Sequence, residues 1–185
     1  NLQNTLFQGD MDVSGDETLS VTSYTPNTTA YIVGLPGQVQ LFHGTTTSGT
    51  LLSKTETSYD GGTSWTVAPT KGDATASRSW IVEQARFTTA GTATYDAYGN
   101  VTSATDPTGR TSSTTWDSSL HLFPLTATNG VSETTTTTWD TTCSVPATVQ
   151  DANLQTATLA TDALCRPTTT TLPSPYGVVS TKVYS

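Results

Sequence analysis

Short β-type runs alternate with turn-forming clusters along the whole chain, and over the second half they do so at a fixed period. The runs are rich in Thr, Val, Tyr and Trp and are bounded by Gly, Pro, Asn and Asp, which is the pattern of strands joined by tight turns. An aromatic–Asp pair marks each return: Tyr59-Asp60, Tyr95-Asp96, Trp116-Asp117 and Trp139-Asp140. Thr161-Asp162 keeps the acid without the ring, and Tyr184 stands where the next pair begins. From Tyr95 the spacings are 21, 23, 22 and 23 residues. After each Asp come a turn, a strand (101–105, 122–128, 145–150, 168–172) and a second turn ("DPTG", "NG", "DAN", "PSPYG"). A second strand follows (111–116, 131–139, 154–161, 178–184). Two strands and two turns fill about 22 residues, so each repeat is one β-hairpin.

The expected fold is therefore all-β: stacked antiparallel β-hairpin repeats that form a continuous, spiralling sheet in which each repeat touches mainly its neighbours. Residues 94–185 hold the regular repeats, and residues 1–93 form an irregular antiparallel β region before them. In that region "TLSVTSY", "AYIVGLP", "GQVQLFHG" and "TLLSKTETSYDGG" read as strands, with residues 44–49 as a hairpin loop. Two more strands are expected to meet near Glu83 to Arg86, in preference to a short helix there. Gly99, Gly109, Gly130 and Gly177 fall where tight turns need a positive φ. The Asp of each pair sits where the chain leaves a strand, as a turn cap, and the recurring rings are placed to line one face as a ladder.

Composition sharpens this picture. Thr makes up about a quarter of the 185 residues, charged residues only 12%, and hydrophobic residues 34%. Thr is β-branched, so the bias favours strands over disorder. A strand such as "SETTTTTW" puts Thr on both faces, and neither face then supplies the apolar area of a packed sandwich. A long wall, wet on both sides, is the arrangement such a sheet can sustain. The net charge of −8, with seven scattered Lys and Arg, leaves no basic footprint for nucleic acid or an anionic membrane. No apolar run is long enough for a membrane-spanning helix. The start at Asn1 and the end in strand-like Lys182–Ser185 are expected of a piece of a longer protein.

Little chemistry is written into the chain. His43 and His121 have no partner pattern, and no zinc spacing, nucleophile elbow or phosphate loop is present, so no catalytic residue, metal or cofactor is assigned. Asp10, Asp12 and Asp16 alternate as in a calcium loop but lack the rest of its pattern, and a solvated acidic loop is the plainer reading. Asn27 and Asn100 lie in N-x-T sequons. Cys143 and Cys165 follow their Asp by three residues each, in the same phase of consecutive repeats. Two cysteines in a secreted protein invite pairing. Equivalent sites two strands apart lie about 9.6 Å from each other, beyond the disulfide limit unless the turns lean together. Both readings stay open.

The stretch "YDAYGNVTSATDPTGRTSSTTWD", residues 95–117, resembles the YD repeat of RHS proteins. The pattern continues in phase, with Trp and Thr in place of Tyr, from residue 118 to 185. Upstream, "AYIVGLPGQVQLF", "SYDGGTSW" and "PTKGDATASRSW" are similar to the segment that precedes YD repeats in RHS proteins related to the B component of bacterial Tc toxins. In that family the repeats spiral into a hollow β-shell around a toxic C-terminal domain. The resemblance implies a secreted or cell-surface, non-enzymatic scaffold whose partners are the rest of its own chain, an enclosed toxin domain or copies of itself. It implies no self-cleavage here: Asp106-Pro107-Thr108-Gly109 copies the opening of the family's cleavage motif inside an ordinary repeat turn. Two other readings compete with the shell wall. One is a self-assembling extracellular filament or surface adhesin. The other is a carbohydrate-binding module, which requires Trp65, Trp80, Trp116 or Trp139 to converge on a groove and bind surface glycans.

Overall fold

The computed structural model describes residues 3–10, 12–13, 15–173 and 178–181. The first strands are β1 (Asn4–Phe7), β2 (Thr18–Tyr24), β3 (Pro36–His43), β4 (Leu51–Tyr59) and β5 (Ala74–Ile81). A 3-10 turn (Val82–Gln84) leads to β6 (Arg86–Phe87), β7 (Gly91–Tyr95) and β8 (Val101–Thr105). Then come β9 (Thr111–Trp116), β10 (Pro124–Thr128), β11 (Thr134–Asp140), β12 (Val145–Gln150), β13 (Thr156–Thr161), β14 (Pro167–Thr171) and β15 (Val178–Thr181). All but β6 follow one another in chain order in one antiparallel sheet, and β6 pairs with β5 off that path. Contacts divide the chain into two compact units, Asn1–Thr94 with Ala104–Gly109, and Tyr95–Ser103 with Arg110–Ser185.

In the first unit the core sits between β2 and β3, where Leu19 and Phe42 face each other across the ladder and are both buried. Residues 60–73 fold back over this sheet. The Thr25 hydroxyl donates to the Val67 carbonyl at 3.2 Å, the Asn27 amide donates to the Pro69 carbonyl at 2.7 Å, and Pro69 is fully buried. Gly37 makes the fold-back possible, because a Cβ there would come within 2.6 Å of the Trp65 ring. One expectation needs correction. "AYIVGLP" is a turn held by an isolated Asn27–Ile32 bridge, because the Asn27 side chain accepts the Ala30 N–H and curls the backbone before a strand can start. Two strands do meet near Glu83 to Arg86: a 3-10 turn (Val82–Gln84), closed by Ala85 in the left-handed region at φ 47°, joins β5 to β6, and Ile81 pairs with Arg86.

In the second unit the hairpins pair in sequence, and the pairing gives the sheet two unlike faces. One carries rows of Thr: Thr115, Thr126 and Thr136 in register, then Thr138, Thr148, Thr158 and Thr171. Their hydroxyls bond across strands at 2.7 Å in Thr115–Thr126 and Thr138–Thr148. The other face mixes Thr with Ala127, Val149, Ala157 and Leu159. Strand β11 does put Thr on both faces, but its neighbours bring small apolar side chains to only one.

Among the described residues, each turn at the opposite strand ends begins with Asp or Asn and places a left-handed residue three positions later, while Gly177 lies outside the described residues. The pairs are Asp106/Gly109, Asn129/Ser132 and Asp151/Leu154, and in each the later N–H donates to the earlier carbonyl at 3.0 Å. The left-handed residue of the second turn is therefore Ser132, not Gly130, because Asn129 sets the count. Leu154 is held at φ 63° with its side chain 76% exposed, so its backbone strain is offset by no packing. Leu154→Gly is expected to stabilise the protein by about 0.5–1 kcal/mol, the left-handed penalty less the entropy of glycine. A rise of a few degrees in Tm would show it.

Candidate functional site

The aromatic–Asp positions stand at strand ends, and those of the second unit follow one another along one rim of its hairpins. Their acids bond to the turn that follows. Asp96 Oδ1 accepts the N–H groups of Tyr98 and Asn100, and Asp162 Oδ1 accepts those of Leu164 and Arg166. Asp140 Oδ1 accepts from Thr142 and Cys143. Asp117 takes four N–H groups, from Leu120, His121, Leu122 and Phe123. Asp60 reaches farthest, to the N–H groups of Thr70, Lys71, Gly72 and Asp73 at the end of its long loop. Gly99 supplies the left-handed residue of the Asp96 turn, and His121, Ser144 and Cys165 do the same in the next three. Only the first of these is a glycine.

These bonds favour the charged forms of Asp60, Asp96, Asp117 and Asp162. Partial burial works against the Asp60 charge, but the N–H groups of Lys71, Gly72, Thr70 and Asp73 outweigh it and bring its pKa to about 2. The Phe123 N–H does most to bring Asp117 to about 2, against slight burial and with help from Leu120, Leu122 and His121. Asp96 and Asp162 are lowered too, Asp96 against partial burial and Asp162 chiefly by the Arg166 N–H and guanidinium. A carboxyl whose folded pKa lies below its ordinary 3.8 favours the folded state above that value. Stability is therefore expected to fall as the pH drops from about 4 towards 2. Thermal unfolding followed against pH tests this, and Asp117→Asn should make the fall shallower.

The rings show a second regularity. At strand ends of this kind in both units, Tyr24 pairs with Pro36, Trp116 with Pro124, Trp139 with Pro146 and Thr161 with Pro167, with a register shift beside each pair. Proline has no N–H for the ladder, and a shift of this kind tolerates it. The rings then reach back over the preceding strand. The Tyr59 hydroxyl donates to the Pro36 carbonyl at 2.9 Å, Trp116 Nε1 to the Val101 carbonyl at 2.9 Å, and Trp139 Nε1 to the Pro124 carbonyl at 2.8 Å. Each acceptor opens the strand before the ring's own. The rings thus clasp successive strands as well as filling space. Trp139 also packs on buried Phe123, with 5.0 Å between ring centres. Tyr95 ends β7 and is half-buried, and Tyr184 lies outside the described residues. Tyr24 and the paired prolines escape a search for aromatic–Asp pairs, although a Pro within a dozen residues of each of these positions is a signal in the sequence.

Cys143 and Cys165 are joined in a disulfide, with their Cα atoms 5.2 Å apart. The ladder-based distance of about 9.6 Å does not apply, because both residues lie in turns beyond the strand ends. Elsewhere on the rim Tyr98 stacks on His121 at 3.6 Å, and Asn100 Nδ2 donates to the His121 carbonyl. The amide nitrogens of both sequons are engaged, Asn100 here and Asn27 at Pro69.

The other candidates do not assemble into a site. Trp65 lies against Gly37, Trp80 packs edge-on to Phe87 at 4.9 Å, and Trp116 and Trp139 serve the rim. A groove of about 530 Å³ at the far rim is lined by polar residues such as Thr128, Asn129, Glu133 and Asp151, with no ring among its walls. Asp16 accepts the Asp10 N–H and Asp10 accepts the Asp12 N–H, so these acids bond to their own loop. No group of three His, Cys, Asp or Glu arranged to hold a metal occurs among the described residues.

No protein-family model and no curated protein matches the sequence. Solved structures do match the fold. The chain is similar to the TcdB2–TccC3–Cdc42 complex, with a TM-score of 0.64 and 14% identity over 84% of this chain and 11% of that one. It is also similar to TcdB2–TccC3 without its hypervariable C-terminal region, with a TM-score of 0.62 and 16% identity over 83% of this chain and 10% of that one. The Tc holotoxin pore of Photorhabdus luminescens gives a TM-score of 0.62 and 13% identity over 84% and 10%. This chain thus spans about a tenth of the length of those proteins, and at such identity the likeness is one of fold.

Proposed function

We propose that this chain is a stretch of non-enzymatic structural wall in a secreted RHS-type protein, and that the complete wall encloses a C-terminal toxin domain. The fold is that of the RHS-repeat shell in the Tc toxin complexes. One observation carries the reading: the groups that recur once per repeat are spent on the sheet itself. Carboxylates bond to turn N–H groups, and ring donors bond to backbone carbonyls. A scaffold needs such residues at every repeat, whereas a binding face would leave their polar ends turned outward. The disulfide supports an oxidising, extracellular location. The separate packing of the four Trp residues weighs against a glycan platform.

Cryo-electron microscopy of the full-length protein tests the proposal. Closed hollow particles with density inside are the expected result. Extended filaments would sink the cargo reading and make the repeats the body of a surface fibre.

A further inference from the structure

Among the described residues from Trp116 onward, the ring clasp is made by Trp116 and Trp139 and is missing at Thr161. Tyr59 donates to the carbonyl of Pro36, the residue paired with Tyr24, and Trp139 donates to that of Pro124, the residue paired with Trp116. The next acceptor in this series is Pro146, paired with Trp139, and the next donor position is Thr161. A Thr side chain is too short to reach across a strand, and its hydroxyl instead lies 3.7 Å from Cys143 Sγ. At this same repeat the Cys143–Cys165 bond ties the Asp140 turn to the Asp162 turn.

We infer that the disulfide takes the place of the missing ring and makes the repeats around it, residues 145–171, a redox-operated section of the wall. Rim contacts elsewhere in the second unit are non-covalent and indifferent to thiols: Tyr98 on His121, and Trp139 on Phe123. Only the contact between the Asp140 and Asp162 turns can be cut by a reductant. The reductant is a small dithiol. One of its thiolates attacks a cysteine sulfur, forms a mixed disulfide and expels the other cysteine as a thiolate. Its second thiol then displaces the remaining cysteine and leaves as a cyclic disulfide. Two electrons and two protons pass to the protein, and the closed 22-residue loop opens. Both cysteines are half-buried in turns that carry exposed residues such as Leu164, so the bond is within reach of a small thiol. The reaction depends on the rim alone and not on what the wall encloses.

Hydrogen exchange of the full-length protein, with and without a dithiol reductant, tests the inference. Reduction is expected to speed exchange across residues 145–171 by about tenfold or more and to leave residues 111–140 within about twofold. Cys143→Ser with Cys165→Ser should reproduce the reduced pattern without reductant. Thr161→Trp should restore slow exchange in the reduced protein, because the indole then donates to the Pro146 carbonyl. Its oxidised form, compared with wild type, shows whether the new ring is accommodated. Unchanged exchange on reduction overturns the inference. So does loosening of the whole sheet, or a Thr161→Trp protein that disturbs the oxidised fold or gives no recovery once reduced.

Discussion

Glu56→Ala is expected to lower stability by about 2–3 kcal/mol. Glu56 is only 6% exposed yet charged, and it stands mid-strand with Gln38 and Arg78 directly across the ladder on either side. Arg78 donates from Nε at 3.0 Å and Nη2 at 2.7 Å to one oxygen, and Gln38 donates at 2.9 Å to the other. Lys54 lies 3.4 Å from that second oxygen. Burial opposes the charge, but these donors win, and the carboxyl lies below its ordinary range. Removing it strands two cations over the Trp80 and Phe87 rings, Arg78 at 4.1 Å from Phe87 and Lys54 at 5.1 Å. Arg78 is 44% exposed, so water recovers part of the loss, which is why the figure is below that of a wholly buried pair. Glu56→Leu with Arg78→Leu should cost less than Glu56→Ala alone, because one cation rather than two then loses the carboxylate, and that one, Lys54, keeps the Phe87 ring face. Chemical denaturation of the three proteins decides the matter. A single variant as stable as wild type would falsify the account.

Trp139→Ala is expected to cost about 2–4 kcal/mol, and Trp139→Phe about 1 kcal/mol. The alanine variant loses the packing on Phe123 as well as the bond to Pro124, whereas phenylalanine keeps a ring and loses only the donor. The difference between the two variants therefore separates ring burial from the clasp. Equal losses would mean that the hydrogen bond carries nearly everything and the ring's packing almost nothing.

How much of this was legible beforehand differs from residue to residue. Strands β8, β9 and β12 fall where the alternation of β-branched runs and turns puts them. Errors gather where a side chain bonds to its own backbone. Asn27 turns "AYIVGLP" into a loop, and Asn129 shifts the left-handed residue from Gly130 to Ser132. Strand β1 leaves no mark in the pattern either, since "NTLF" is too short to show a period and forms only by pairing with β2.

By itself the sequence determined the hairpin period, the strand–turn order and the acid at each strand exit. These are local properties, set by propensity and by side chains that bond within a few residues. The tertiary structure decided what pairing across strands controls. It gave the sheet one Thr face and one mixed face, because register and not composition selects which alternate residues stand together. It turned Tyr59, Trp116 and Trp139 into clasps on the preceding strand, and it brought Cys143 and Cys165 within bonding distance where the ring is lost. Each of these depends on the separation of atoms far apart in the chain, a distance that folding fixes and residue spacing alone does not.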